Sequence, residues 1–476
     1  MISREESSKR LVKNIGFLSI SQFSTKILTF FLVPLYTSIL STNQYGVYDL
    51  FTTTIGLLIP IFTLHIVEAV LRFSLEPNRR PTDVFTNGIV IESCGGIVLS
   101  VFILVNKFTN IIPAINEYLV YFILMFIAEV IYQFFTYFSR GINDVLDISI
   151  AGIISTVVVI STNIVFLLVL KKGLEGYFLA TILGNISAMI FLFFRLKIWK
   201  YICIKSIEYK LCREMLGYSA PLILNQISWW INNASDRYIV IAVCGVAANG
   251  VYSIGYKIPN ILSTLQGIFN SSWVLSATQD YDENDSKGFF SSTYATYNFL
   301  MTVTCSLIIV MTKLIAKLLY AKEFFEAWKY VPFLTIAVVF GALSGYLGGI
   351  FTAVKDTKAI SLTTLFGAII NICLNFLLVN RIGPLGAAIA TMLSGYAIFV
   401  VRYIWSKKYI KFKINFIRDN LSYCLLLIQS LLLLFLNDIL LISTQCVLSL
   451  FVVLLYNKEI KAVLELIFNK LYHNKL

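Results

Sequence analysis

Long apolar runs separated by short polar stretches make up most of the chain. Fourteen such runs, near 15–40, 46–72, 85–105, 117–139, 148–170, 175–196, 216–242, 250–275, 291–317, 329–353, 358–380, 385–405, 418–436 and 438–456, are continuous. Each has roughly the 20 residues that a helix needs to cross hydrocarbon. A membrane β-barrel would instead show short alternating segments, and only helices satisfy every backbone group within runs like these. The pattern predicts an all-α polytopic membrane protein with about 14 transmembrane helices.

Composition agrees, since 58% hydrophobic and 13% charged residues over 476 positions lie far from the values of soluble domains. Charge adds orientation. By these boundaries about 27 Lys and Arg fall on the side of the N-terminus and about 8 on the other, so both termini are expected in the cytoplasm of a cell-membrane protein. The net charge of +12 follows from this bias and from anionic headgroups, and no soluble domain is left to present a groove to nucleic acid. One segment, 313–329, is placed outside and yet holds four Lys. The first run is too long for a signal peptide, contains Lys26 and lacks a small-x-small cleavage site, so it is expected to remain as a helix. Eight scattered cysteines support neither a disulfide framework nor a metal site, and no cofactor is called for.

The chain repeats itself. At an offset of about 210, positions 166–183 (FLLVLKKGLEGYFLATIL) lie over 376–393 (FLLVNRIGPLGAAIATML) with half of the eighteen residues identical. At about 204, Tyr45-Gly46-Val47-Tyr48 lies over Asn249-Gly250-Val251-Tyr252. Six helices per copy is an even number, so the copies share one orientation, as parallel repeats do in transporters that work by alternating access between two lobes. The expected organisation is an N-terminal six-helix lobe at 1–205, a second at 206–410, and a trailing helix pair with a tail at 411–476.

Four short motifs in order, Gln44-Tyr45-Gly46-Val47-Tyr48, Leu71-Arg72-Phe73, Asp236-Arg237-Tyr238 and Asn249-Gly250-Val251-Tyr252-Ser253, give a chain that resembles the polysaccharide (O-antigen type) flippase branch of the multidrug/oligosaccharidyl-lipid/polysaccharide exporter superfamily over roughly 10–410. The resemblance implies a flippase that moves an undecaprenyl-pyrophosphate-linked oligosaccharide from the cytoplasmic to the outer leaflet for cell-surface polysaccharide. Glycosyltransferases and a polymerase of the same pathway are its implied partners.

Charges inside the runs are costly and ask for a reason. Arg72 falls near the cytoplasmic end of helix 2, Lys26 near mid-membrane in helix 1, and Arg237 and Lys257 in the outer halves of helices 7 and 8: a ladder of cations suited to a pyrophosphate. The repeat puts Lys26 over Trp230, seven residues before Arg237 and so on the same helix face. Trp230 is the candidate for stacking on sugar. The competing reading is structural neutralisation, by Asp236 beside Arg237 and by Glu68 four residues before Arg72. Glu68, Glu129 and Asp236 are the candidates for binding a coupling proton or sodium ion, with Glu92 and His65 nearby in the same class.

Other functions fit less well. There is no G-x-x-x-x-G-K-[ST] loop for ATP, and the D-x-D stretch at Asp280–Asp285 sits in a short connector and fails the EF-hand pattern. A drug/cation antiporter of the same superfamily would favour acidic cavity walls over interior Lys26, Arg237 and Lys257. A membrane polymerase or ligase would need a larger outer loop. A peptidoglycan lipid flippase shares the cargo chemistry and stays open as the alternative.

Overall fold

The computed structural model describes residues 26, 28–110, 113–142, 144–436 and 438–461, and among them it contains α, π and 3-10 helices and no strand. The start of the first predicted run therefore lies outside the described residues. In order, the helices are α1 (Val33–Ile39), α2 (Thr42–Phe62), α3 (Ile66–Ser74), α4 (Pro81–Thr109), α5 (Pro113–Glu117), α6 (Leu119–Gly141), α7 (Val145–Asn163), α8 (Gly173–Arg195) and α9 (Tyr209–Cys244). There follow α10 (Val246–Ile254), α11 (Pro259–Gln279), α12 (Phe289–Leu319), α13 (Val331–Ala353), α14 (Thr357–Ile382), α15 (Pro384–Ser406), α16 (Phe416–Phe435) and α17 (Asp438–Leu455). Among the described residues, ten helices are long and apolar enough to cross a membrane. The protein is an all-helical polytopic membrane protein.

Two predicted helices are each two helices. The second run breaks at Thr63–His65, where Leu64 and His65 both adopt left-handed backbone (φ 52° and 50°). Pro60 sits in the last turn before the break, and Thr63 closes α2 with its hydroxyl on the Ile59 carbonyl at 2.8 Å. The eighth run breaks at 255–258, just ahead of Pro259 at the start of α11. Of the four lysines of 313–329, Lys313 and Lys317 lie within α12 and Lys322 and Lys329 bound the 3-10 helix that follows it, with Lys313 over the Trp328 ring at 4.6 Å.

The described residues pack as two compact units that divide between Ser235 and Asp236, within α9. In the first, Phe51, Phe122, Phe126 and Phe178 form one buried cluster and Val70, Phe85, Phe134 and Phe138 another, so that α6 lies at the centre against α3, α4 and α8. In the second, α13 is buried over 72% of its apolar window and packs against α11, α12 and α15. The trailing helices α16 and α17 join α12 through a buried polar seam. Ser306 donates to Gln429 Oε1 at 3.0 Å, Gln429 to Ser449 Oγ at 2.9 Å, and Tyr423 to Asn298 Oδ1 at 3.0 Å.

The repeat is visible in both units at the same glycines. Gly173 and Gly383, equivalent at the 210 offset, both have positive φ (54° and 62°) at the tight turn of a helix hairpin. Three residues on, a Cβ on Gly176 would sit 2.8 Å from Phe166 Cβ, and one on Gly386 would sit 2.5 Å from the Leu378 carbonyl. Each hairpin closes only because no side chain stands there.

Candidate functional site

Four helices of the N-terminal unit converge on a cavity of about 310 Å3. Thr52, Gly56 and Ile59 line it from α2, and Met125, Glu129 and Gln133, spaced by one turn, from α6. Thr181 and Asn185, again one turn apart, line it from α8, and Gln226 from α9. The mixture of apolar walls with a carboxylate and several amides suits a small polar occupant. Asn185 donates to Glu129 Oε2 at 2.6 Å, which fixes the carboxylate on the cavity wall. Trp230 lies one turn after Gln226 and donates its indole N–H to the Thr53 carbonyl at 2.9 Å, pinning α9 to α2 beside the cavity.

His65 enters this cavity from the α2–α3 break; it is only 5% exposed. Neither ring nitrogen has a hydrogen-bond partner among the described residues, and the same holds for Gln133 Oε1. Nε2 of His65 stands 3.8 Å from Glu68 Oε1, an ion pair when the imidazole is protonated. The left-handed backbone at the break is what turns His65 inward.

Arg72 and Glu68, expected to pair, do not. Arg72 reaches forward to Glu76 at 3.4 Å with its side chain 53% exposed. It begins a chain of charges, because Glu76 also meets Arg79 at 3.4 Å and Arg79 meets Glu214 of α9 at 2.5 Å. In this loop the hydrogen bond and charge of Glu214 raise the pKa of the Arg79 guanidinium above its ordinary value. Arg72 thus belongs to an exposed network of charges at the end of α3, while Glu68 of the same helix faces His65.

In the C-terminal unit Asp236 is 3% exposed and its carboxylate is held from three sides. Tyr252 and Tyr256 donate to Oδ2 at 2.5 and 2.7 Å, and the Arg237 backbone N–H donates to Oδ1 at 2.9 Å. The Arg237 guanidinium lies over the Tyr256 ring at 5.1 Å. So the carboxylate beside Arg237 is spent on two tyrosines, one of which carries the guanidinium on its face. Lys257 follows in the α10–α11 break and is half-buried. Lys26 is exposed, its carbonyl accepting from Thr29 Oγ1 at 3.0 Å. The structure therefore brings Glu129, His65 and the Trp230 turn together in one unit and Asp236, Arg237 and Tyr256 together in the other.

Sequence reasoning missed Gln133, Asn185 and Gln226, single amides within apolar runs that carry no spacing signal of their own. Arg402, near the end of the run 385–405, is 6% exposed within α15, donating to Thr363 Oγ1 (3.0 Å), Thr364 Oγ1 (2.9 Å) and the Ser344 carbonyl (2.7 Å). The Asp280–Asp285 stretch is a connector whose carboxylates cap backbone N–H groups. Asp282 accepts from Ser286 at 2.7 Å and Asp285 from Phe290 at 2.9 Å.

Residues 11–277 match the family described as polysaccharide biosynthesis protein, and residues 221–377 match the MatE family. No curated protein matches by sequence. Among solved structures, the chain is similar to a lipid II flippase MurJ in an inward closed conformation, with 17% identity over 94% of this chain and 99% of that one and a TM-score of 0.71. It is also similar to an inward-facing multidrug resistance MATE family transporter of the MOP superfamily (13% identity, 85% and 99% covered, TM-score 0.66). A third is a MOP superfamily transporter from Pyrococcus furiosus described as having a binding pocket of reversed polarity (14% identity, 83% and 95% covered, TM-score 0.57). At these identities the likeness is one of fold.

Proposed function

The chain belongs to the polysaccharide biosynthesis protein family, within the MOP superfamily of flippases and transporters, and from that membership we propose that it flips undecaprenyl-pyrophosphate-linked oligosaccharide repeat units from the cytoplasmic to the outer leaflet. The match over residues 11–277 is the observation that carries this reading. The proposed working parts are lobes at 1–205 and 206–410 moving by alternating access, a trailing pair at 411–476, and both termini in the cytoplasm. Lys26, Arg237 and Lys257 are proposed to neutralise the pyrophosphate, with Arg72 at the cytoplasmic entrance and Trp230 against the glycan.

Glu129, with Glu68 through His65, is proposed to take the coupling proton or sodium ion, since it faces a cavity and holds a single amide partner. Asp236, also a candidate for that role, is proposed to act first by orienting Tyr256 beneath Arg237.

The test is leaflet transfer of a fluorescent undecaprenyl-pyrophosphate oligosaccharide in proteoliposomes, comparing the wild type with Lys26→Ala and Arg237→Ala. Transfer by the wild type that falls about tenfold or more in both variants, the loss of one charge-assisted contact, supports the reading. Equal transfer of a peptidoglycan lipid precursor would redirect it to that cargo. Proton-driven efflux of organic cations with no lipid transfer would replace it with the antiporter.

A further inference from the structure

A second cavity, of about 320 Å3, lies on the N-terminal unit between α4 and α6 and shares no lining residue with the first. It exists because of one glycine. A Cβ on Gly96 would meet nothing within 4 Å, so the helix leaves a groove there, walled by Ile89, Val101 and Leu104 of α4 and Phe126, Val130 and Ile131 of α6. The neighbouring side chains Ile97, Val98 and Phe102 are exposed, as expected on a face that looks toward lipid. The adjacent Gly95 packs so closely on α2 that a Cβ would sit 2.3 Å from the Phe62 carbonyl oxygen, which locks the rotation of α4.

At the floor of this groove, one turn before Gly96, is Glu92, which is 1% exposed. Neither of its carboxyl oxygens has a hydrogen-bond partner among the described residues. Counting from Pro81 at 1.5 Å per residue, it lies about 16 Å along α4, near the middle of the hydrocarbon. A buried carboxyl with no partner, facing an apolar groove, is complementary to an apolar molecule that brings its own donor.

We propose that this groove binds lipophilic primary amines from the bilayer. The uncharged amine reaches the groove through hydrocarbon, and the Glu92 carboxylic acid transfers its proton to the amine nitrogen. One O–H bond breaks, one N–H bond forms, and an ammonium–carboxylate pair remains, joined by a charge-assisted hydrogen bond. The Ile, Val and Phe walls take the alkyl chain. An alcohol or an alkyl sulfate of the same length is too weak a base to take the proton, so neither makes the pair.

The test uses the full chain in lipid nanodiscs and dicyclohexylcarbodiimide, which attacks protonated carboxyls in apolar surroundings and leaves an N-acylurea that peptide mass mapping locates. Dodecylamine is expected to lower labelling of Glu92 about tenfold, the effect of one such ion pair, while dodecanol and dodecyl sulfate leave it unchanged. In Gly96→Leu, whose side chain fills the groove, protection by dodecylamine is expected to vanish. Equal protection by dodecanol, persistence of protection in Gly96→Leu, or absence of labelling at Glu92 would each overturn the proposal. None of these readouts depends on lipid flipping, so the failure of either proposal leaves the other standing.

Discussion

The hairpin α7–α8 and the hairpin α14–α15 are two copies of one sequence with opposite interiors. Both turn on a glycine of positive φ and close on a glycine with no room for a side chain. Beyond that turn they diverge. At the 210 offset Asn185, whose amide reaches the Glu129 carboxylate across a cavity, corresponds to Gly395, where a Cβ would already touch Phe340 at 3.4 Å. Leu192, fully buried, corresponds to Arg402, which fills its own interior with bonds to α13 and α14. One copy, hollow, lines a cavity with the Asn185 amide, and the other, solid at the matching position, packs Gly395 against Phe340. The two hairpins share a backbone, and single polar residues set their interiors apart.

The sharpest way to break that comparison is to exchange its buried residues. Leu192→Arg places a guanidinium in a pocket with no acceptors built for it, a cost of about 4 kcal/mol or more, and is expected to abolish a monodisperse peak in size-exclusion chromatography. Arg402→Leu removes the charge along with its bonds. It should cost about 3 kcal/mol and lower Tm by several degrees, because the Thr363 and Thr364 hydroxyls and the Ser344 carbonyl lose a donor. Should Arg402→Leu melt like the wild type, the solid interior would owe nothing to this side chain.

How the hairpins close can be tested next. In Gly386→Ala the new methyl meets backbone atoms at 2.5 Å, which cannot move without shifting the helix, whereas in Gly176→Ala it meets Phe166 Cβ at 2.8 Å. Both should destabilise, by about 1–3 kcal/mol, with Gly386→Ala the worse of the two in thermal melts. Equal and negligible effects would mean that the shared glycines do not set the approach of the helices.

These residues also mark how far the sequence could be read. The all-helical membrane architecture came through because twenty apolar residues in lipid leave the backbone no other option, and the two glycine pairs were recoverable as identities in the repeat. The break at Leu64–His65 was hidden, since neither residue is a glycine and the run stays apolar through it. Arg402 falls inside the run 385–405, but its burial could not be read there, because its acceptors come from segments 38 to 58 residues away. Glu129 stood out as a charge in the middle of a run. Its partner Asn185, 56 residues on, becomes visible only when α6 and α8 pack.

Inside the hollow copy, Glu129→Gln keeps an acceptor oxygen for the Asn185 amide and removes only the charge. It should leave Tm within about a degree of the wild type while lowering ion-driven transfer about tenfold. Loss of stability in this variant would make Glu129 a structural anchor, and the hollow copy would be no more adaptable than the solid one.

The smallest effect separates the copies at the loops that start them. Ahead of α14, Asp356 accepts from Tyr409 at 2.5 Å and from the Ala359 N–H at 3.1 Å, and these bonds hold its carboxyl below the ordinary 3.8. Ahead of α7, Asp144 is pushed above 3.8 by burial and by the neighbouring Asp147. The signs are opposite. A carboxylate with a depressed pKa stabilises the fold above its ordinary value, and that contribution is lost as pH falls below 3.8 through the folded value. A carboxyl with a raised pKa contributes in its protonated form, so acid favours the fold around it. Amide hydrogen exchange, corrected for its intrinsic pH dependence, should therefore show the start of α14 losing protection as pH falls below 3.8 while the start of α7 keeps or gains it. Parallel loss in both loops would mean that the Tyr409 bond adds nothing that the Asp147–Arg195 pair does not, and the two hairpins would share one way of anchoring their base.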